Sequence, residues 1–195
     1  QPSVTLDGFA PEDELKCEVY SIDLDAIVRE GGLENILWSV GRWGKQIADD
    51  HPAFKKVKEF SHKIQSRDYE GVFQENIQAG DLPQGFYWFQ VKNGPAREGT
   101  YFFITNIALL TKQTEESVYC YLANVKTGDS VPDSDVYVHS KGQTKYVGKT
   151  NESGFVRFNT KQLLPDLSDS FNVSVSARSG DSVALVSFYM YSSEQ

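Results

Sequence analysis

The sequence predicts a mainly β protein: two tandem immunoglobulin-like β-sandwich domains, the first carrying a helical insertion. Three observations support this. Long stretches alternate apolar and polar residues with period two, as a half-buried strand requires. Gly, Pro, Asp and Asn cluster between those stretches at short intervals, the punctuation of strand–turn–strand folds. The chain has 195 residues, which suits two sandwiches of about 100 residues each.

Taken in order, Val4 to Ile22 alternates. Leu15, Cys17 and Val19 fall on one face of a strand, and Lys16, Glu18 and Tyr20 on the other. The "DGFAPEDE" before them supplies turn residues. From Asp23 to about Ser66 the period changes. In "LENILWSVGRWGKQIADD", Leu33, Ile36, Leu37, Val40 and Ile47 follow helical spacing. Asp50 is placed to cap a second helix, with Pro52 in its first turn and Phe54, Val57, Phe60 or Ser61, and Ile64 as its thin apolar stripe. Lys55, Lys56 and Lys58 then become the wet face of that helix. Trp38 and Trp43 do not make a membrane-surface helix of this zone, because its polar faces are acidic and mixed.

Strands resume with "YEGVFQENIQ" and "GDLPQGFYWFQVKNG", the latter placing a Pro-Gln-Gly turn before an aromatic strand. A composition shift at "NGPAREG", Asn93 to Gly99, marks the predicted domain boundary, giving 1–97, with the insertion at about 23–66, and 98–195. Beyond it seven strands are predicted, from "YFFITNIALLTK" to "DSVALVSFYMY", the count of an immunoglobulin-like sandwich. "TGDSVP" and "NESG" read as hairpin connectors of a tight meander, in which Gly128 and Gly154 supply positive φ.

Composition narrows the function classes. With 39% hydrophobic and 24% charged residues the chain can build real cores. A net charge of −8 argues against a nucleic-acid partner, which needs clustered Lys and Arg. Cys17 and Cys120 both sit in strand-like runs and lack CxxC spacing; two free buried thiols are expected, with no redox or zinc role. The sequence has no signal peptide and no run of 18 apolar residues. It opens at Gln1 without an initiator Met and is expected to be a piece of something longer, so compartment is not readable from the missing export signal.

Catalytic motifs are equally scarce. His51, His62 and His139 are scattered and lack metal-ligand spacing. The acidic pairs Asp49–Asp50 and Glu115–Glu116 read as solvated turns, and "DSVPDSD" lacks the Gly and distal Glu of a calcium loop. No nucleophile elbow, P-loop or dinucleotide fingerprint occurs. Asn151 and Asn172 match the glycosylation pattern, which a eukaryotic secreted protein could use and a bacterial one would not; a chance match is expected. No catalytic residue, cofactor or metal is therefore expected, and the turns are expected to serve the fold.

The motifs do resemble a family. "TGDSVPDSDVYVHSKGQTKYVGKTNESGFVRF" is similar to part of the macroglobulin (MG) domains of α2-macroglobulins. Thr127, Gly128, Val131 and Pro132 form the turn, Val136 and Val138 the strand, and Gly148, Thr150 and Gly154 the next strand entry. "DLPQGFYWFQV" resembles the L-P-x-G-x-Y corner of such a domain, carried by Leu82, Pro83, Gly85 and Tyr87. "LKCEVYSIDLDAIV" is similar to the start of an N-terminal module in bacterial members. The resemblance covers almost the whole chain.

It implies a broad-spectrum protease trap in the intact protein, located outside the cytoplasm, in the bacterial periplasm or at the cell surface, with a free or a lipid-anchored parent both compatible. The thioester sequence C-x-E-Q is not in this chain, nor is a bait-like stretch. The two modules would be cage scaffold, with neighbouring macroglobulin domains and captured proteases as partners and no direct membrane insertion. The alternative is an extracellular adhesin or carbohydrate-binding module, with Phe86 and Trp88, or Tyr87 and Phe89, as exposed stacking rings.

Overall fold

Alternating apolar residues fold as strands along most of the chain. The computed structural model describes residues 1–29, 51–114, 116–140, 142–160 and 171–190. Among them are thirteen strands and one short helix, in two compact units: 1–23 with 51–104, and 24–29 with 105–190.

The first unit contains β1 (Ser3–Gly8), β2 (Glu14–Ile22), β3 (Phe54–Lys63), β4 (Phe73–Gln78), β5 (Gly85–Asn93) and β6 (Ala96–Ile104). A four-stranded sheet, order β3-β2-β5-β6, and a two-stranded sheet, β1-β4, enclose its core. That core holds Leu15, Cys17 and Val19 from β2, Ile77 from β4, and Tyr87, Phe89 and Val91 from β5. It is the face that period-two spacing assigns to burial. Each of these side chains contributes about 1.5–3 kcal/mol by leaving water.

The second unit contains helix α1 (Leu24–Arg29) and seven strands: β7 (Ile107–Gln113), β8 (Ser117–Asn124), β9 (Asp135–Ser140), β10 (Gln143–Lys149), β11 (Phe155–Asn159), β12 (Phe171–Ser179) and β13 (Ser182–Met190). They form a four-stranded sheet, β10-β9-β12-β13, and a three-stranded sheet, β11-β8-β7. Val118, Cys120 and Leu122 meet Val136, Val138, Val173 and Val175 between the sheets, all fully buried. The mainly β, sandwich-type architecture is as the sequence predicts.

Three local expectations are corrected. The second predicted helix is β3, paired antiparallel with β2 along its whole length. The register slips at Val57, which has no partner between Val19↔Lys58 and Tyr20↔Lys56. This bulge flips the strand's parity, so Phe54 and Phe60 point to opposite faces, while their spacing imitates a helical stripe. Lys55, Lys56 and Lys58 consequently do not form one wet face. Lys56 bonds Glu18 and Glu59, whereas Lys58 Nζ reaches the Ala79 carbonyl at 2.7 Å. The helix predicted around Leu33–Ile47, with Trp38, Trp43 and the Asp50 cap, lies outside the described residues.

Next, "TGDSVP" and "NESG" are not hairpin connectors. The first leads from β8 to β9 and the second from β10 to β11, and each pair belongs to different sheets. The predicted glycine conformations do occur, with φ of +77° at Gly128 and +74° at Gly154. Turn chemistry specifies a local reversal but not which sheet receives the next strand. Finally, "YFFITNIALLTK" is two strands, β6 and β7, broken at Thr105, whose hydroxyl accepts the Ile107 amide. Residues 93–96 form the tight turn of the β5–β6 hairpin, and the first compact unit continues to Ile104.

The cross-sheet corner explains the motif residues one by one. Asn151 Oδ1 accepts the amides of Ser153 and Phe155, closing the turn locally. The Gly154 carbonyl accepts the Leu122 amide, and the Leu122 carbonyl accepts the Val131 amide. The buried Thr150 hydroxyl donates to the Val131 carbonyl at 2.8 Å and accepts the Ser134 amide. A Cβ on Gly154 would stand 2.6 Å from the Leu122 carbonyl oxygen, so both the φ and the space require glycine. In the first unit Tyr87 plays an equivalent part. Its hydroxyl donates to the Pro83 carbonyl, and a Cβ on Gly85 would come within 3.2 Å of its ring.

Candidate functional site

The four-stranded sheet of the second unit turns one polar set of side chains away from the core. Alternation on β9 sends Val136 and Val138 inward and His139 outward, while β12 sends Val175 and Ala177 inward and Ser176 outward. Helix α1 covers this outer face, with Leu24 and Ile27 buried. It is pinned by a bidentate pair in which Arg178 Nη1 and Nη2 donate to Asp25 Oδ2 and Oδ1 at 2.9 and 2.7 Å. A pocket of about 120 Å³ remains there, lined by Leu24, Asp25, Tyr137, His139, Ser176 and Arg178 together with Thr144, Ala177 and Val183.

His139 is 3% exposed and lies between two hydroxyls: Nε2 is 2.7 Å from Ser176 Oγ and Nδ1 is 2.9 Å from Thr144 Oγ1. A serine within hydrogen-bond reach of a histidine has the first geometric feature of a nucleophile and its base. Two further observations weaken that chemistry. The nitrogen that a carboxylate would orient faces Thr144 instead, and Asp25 is engaged by Arg178. Burial also pushes the imidazole down to about 4, far below the range in which a general base accepts a proton at neutral pH. The arrangement satisfies a buried ring without activating a serine. Spacing along the chain gives no hint of it, since His139 and Ser176 become neighbours only when β9 pairs with β12.

The other histidines stay apart. His51 Nδ1 accepts the Ala53 amide in the turn before β3. His62 Nε2 lies 2.9 Å from Glu75 Oε2, across the β3–β4 connection. Among the described residues no three His, Cys, Asp or Glu side chains gather as metal ligands would. Cys17 and Cys120 are free and buried, one in each unit, and burial raises their thiols to about 11 and about 12, out of the reactive range. Glu116 is exposed, as a solvated turn residue should be; Asp49, Asp50 and Glu115 lie outside the described residues.

One buried charge was hidden by alternation. Glu18, 1% exposed, sits on the face of β2 opposite the core. It takes hydrogen bonds from Lys92, Lys56, Tyr20 and Gln90 at 2.7, 2.9, 2.9 and 3.0 Å. Burial alone would raise this carboxyl, but those bonds, led by the Lys92 ammonium, outweigh it and hold it at about 2. Period two assigned Glu18 to a polar face correctly, but it does not reveal that the face is buried.

The rings of "FYWF" are also all buried, Phe86, Tyr87 and Trp88 at 3–4% exposure and Phe89 at 1%. They alternate between faces as expected, but neither pair is presented to a sugar.

No protein-family model matches the chain, and no curated protein matches it in sequence. Solved structures do. The segment spanning domains NIE-MG1 of native α2-macroglobulin from Escherichia coli superimposes with a TM-score of 0.72 at 12% identity, covering 93% of this chain and 86% of that one. The chain carries the α2-macroglobulin domain fold. A longer segment of the Escherichia coli protein, MG0-NIE-MG1, matches with a TM-score of 0.69 at 11% identity, over 94% of this chain and 57% of that segment. Escherichia coli α2-macroglobulin in its native conformation matches with a TM-score of 0.52 at 10% identity, again over 94% of this chain and 11% of that one. The likeness thus extends through both units, and this chain spans about a tenth of that larger α2-macroglobulin chain.

Proposed function

We propose that this chain is a non-catalytic scaffold segment of an α2-macroglobulin-like protein that inhibits proteases broadly and acts outside the cytoplasm. The observation that carries the proposal is the match of both units, in order, to consecutive domains of α2-macroglobulin over 93% of the chain. The local chemistry agrees with a scaffold role: buried polar groups such as Glu18, His139 and Thr150 are consumed by the fold's own hydrogen bonds. In this role the segment positions neighbouring domains of its parent, and protease capture takes place in other parts of that parent.

The test uses the parent protein that contains this segment. It is incubated with unrelated endopeptidases, and the residual activity is assayed on a small chromogenic peptide and on a large protein substrate. A trap protects the large substrate while leaving small-peptide hydrolysis largely intact; the chain alone should affect neither. Equal inhibition of both substrates, inhibition of neither, or ester or peptide hydrolysis by the isolated chain would refute the proposal.

A further inference from the structure

The outward face of the three-stranded sheet in the second unit is covered by neither the sandwich core nor α1. Strand register aligns its side chains in two rows. Leu110, Tyr121 and Phe155 lie side by side across β7, β8 and β11, and Lys112, Tyr119 and Arg157 form the next row. Leu110 is 59% exposed, Phe155 48% and Tyr119 38%. The first row is a contiguous apolar strip, with the Tyr121 and Phe155 rings 4.6 Å apart. The second is an aromatic ring flanked by two cations. Arg157 is held in place, since its Nε and Nη2 donate to the buried Ser117 hydroxyl and its guanidinium stacks over the Tyr119 ring at 5.4 Å.

The charge pattern of this face is unlike that of the chain as a whole. The chain has 27 acidic against 19 basic residues, yet none of the outward positions on β7, β8 and β11 is acidic. We propose that this face docks a protein partner whose contact segment carries carboxylates beside large apolar side chains. Exposed Tyr, Phe and a pre-positioned Arg are the residue types that concentrate binding energy in protein interfaces. Arg157 contributes a fork whose donors not used by Ser117 suit a carboxylate, and ordering it in advance lowers the entropy lost on binding.

Other occupants fit less well. A sugar ring stacks on an open, flat aromatic face; here Arg157 occupies the Tyr119 ring, the Tyr121 and Phe155 planes are tilted by 32°, and Leu110 and Phe155 offer no polar group. An anionic membrane is opposed by the net charge of −8. A second copy meeting this face symmetrically would bring Lys112 and Arg157 against their own counterparts. The proposal is independent of protease capture by the parent.

The experiment uses the 195-residue chain and two fluorescent peptides of about a dozen residues. One alternates Glu or Asp with Phe and Leu; the other has Lys in place of every acid. Polarisation titrations should show the acidic peptide binding about ten-fold tighter than the basic one. Phe155→Ser, and Lys112→Gln combined with Arg157→Gln, should each weaken it about ten-fold. Unchanged circular dichroism would show that these surface variants remain folded, and Tyr146→Ser on the other sheet should leave binding unchanged. No binding, no preference for acids, or indifference to the two variants would overturn the proposal. So would Phe155-dependent binding of polygalacturonate or of phosphatidylglycerol vesicles, or Phe155-dependent dimerisation in sedimentation.

Discussion

Gly154 shows how a single residue can be read from sequence and then explained in atoms. The sequence assigns it a positive φ; the structure adds the Leu122 carbonyl that excludes any side chain. Gly154→Val should therefore lower stability by about 3 kcal/mol or more, combining left-handed strain with a backbone clash, measured as a fall in the urea midpoint of the second unit. Tyr87→Ala should cost about 3–5 kcal/mol, and Tyr87→Phe about 1 kcal/mol, the worth of the hydrogen bond to Pro83; chemical denaturation separates the two. His139 makes stability depend on pH. Its folded pKa of about 4 lies below the ordinary 6.5, so the unfolded chain takes up the proton first as pH falls. Its contribution is complete above about pH 6.5 and is lost progressively towards pH 4, amounting to about 3 kcal/mol. His139→Gln should flatten this slope in a series of denaturation curves. The His139–Ser176 pairing was not legible in the sequence, because non-local strand pairing creates it.

At the scale of elements, strands read well wherever one face alone is buried and the register is unbroken. β1 and β4 meet that condition. β3 does not, because the bulge at Val57 moves apolar residues from one face to the other, and no local signal distinguishes this from a helical stripe. Cross-sheet connectors looked like hairpins for a related reason: sheet membership depends on partners far along the chain. The Glu18 cluster also belongs to this scale, since it joins β2, β3 and β5 through one carboxylate. Glu18→Ala should cost about 1–3 kcal/mol by removing the buried acceptor that the Gln90 amide shares with Lys92, Lys56 and Tyr20. Glu18→Gln should cost less. In the wild-type chain the contribution of Glu18 is present above about pH 4.5 and is lost as pH falls towards 2. Both substitutions should shift the first unit's transition.

For the molecule as a whole, the central claim is that two sandwiches each bury their own core and use their polar residues to shape corners and faces. Their likeness to consecutive α2-macroglobulin domains extends over nearly the entire chain, although identity is too low for sequence comparison to find it. The motifs that carry the resemblance in sequence, Thr150 and Gly154 in one unit and Gly85 and Tyr87 in the other, are those whose hydrogen bonds and close contacts build the corners. The most direct measurement is hydrogen exchange read by mass spectrometry on the wild-type chain and on Gly154→Val. Two self-contained cores require faster exchange in β7 to β13 with protection of β2, β3, β5 and β6 unchanged. Equal loss of protection in both sets of strands would mean one shared core and would contradict the account.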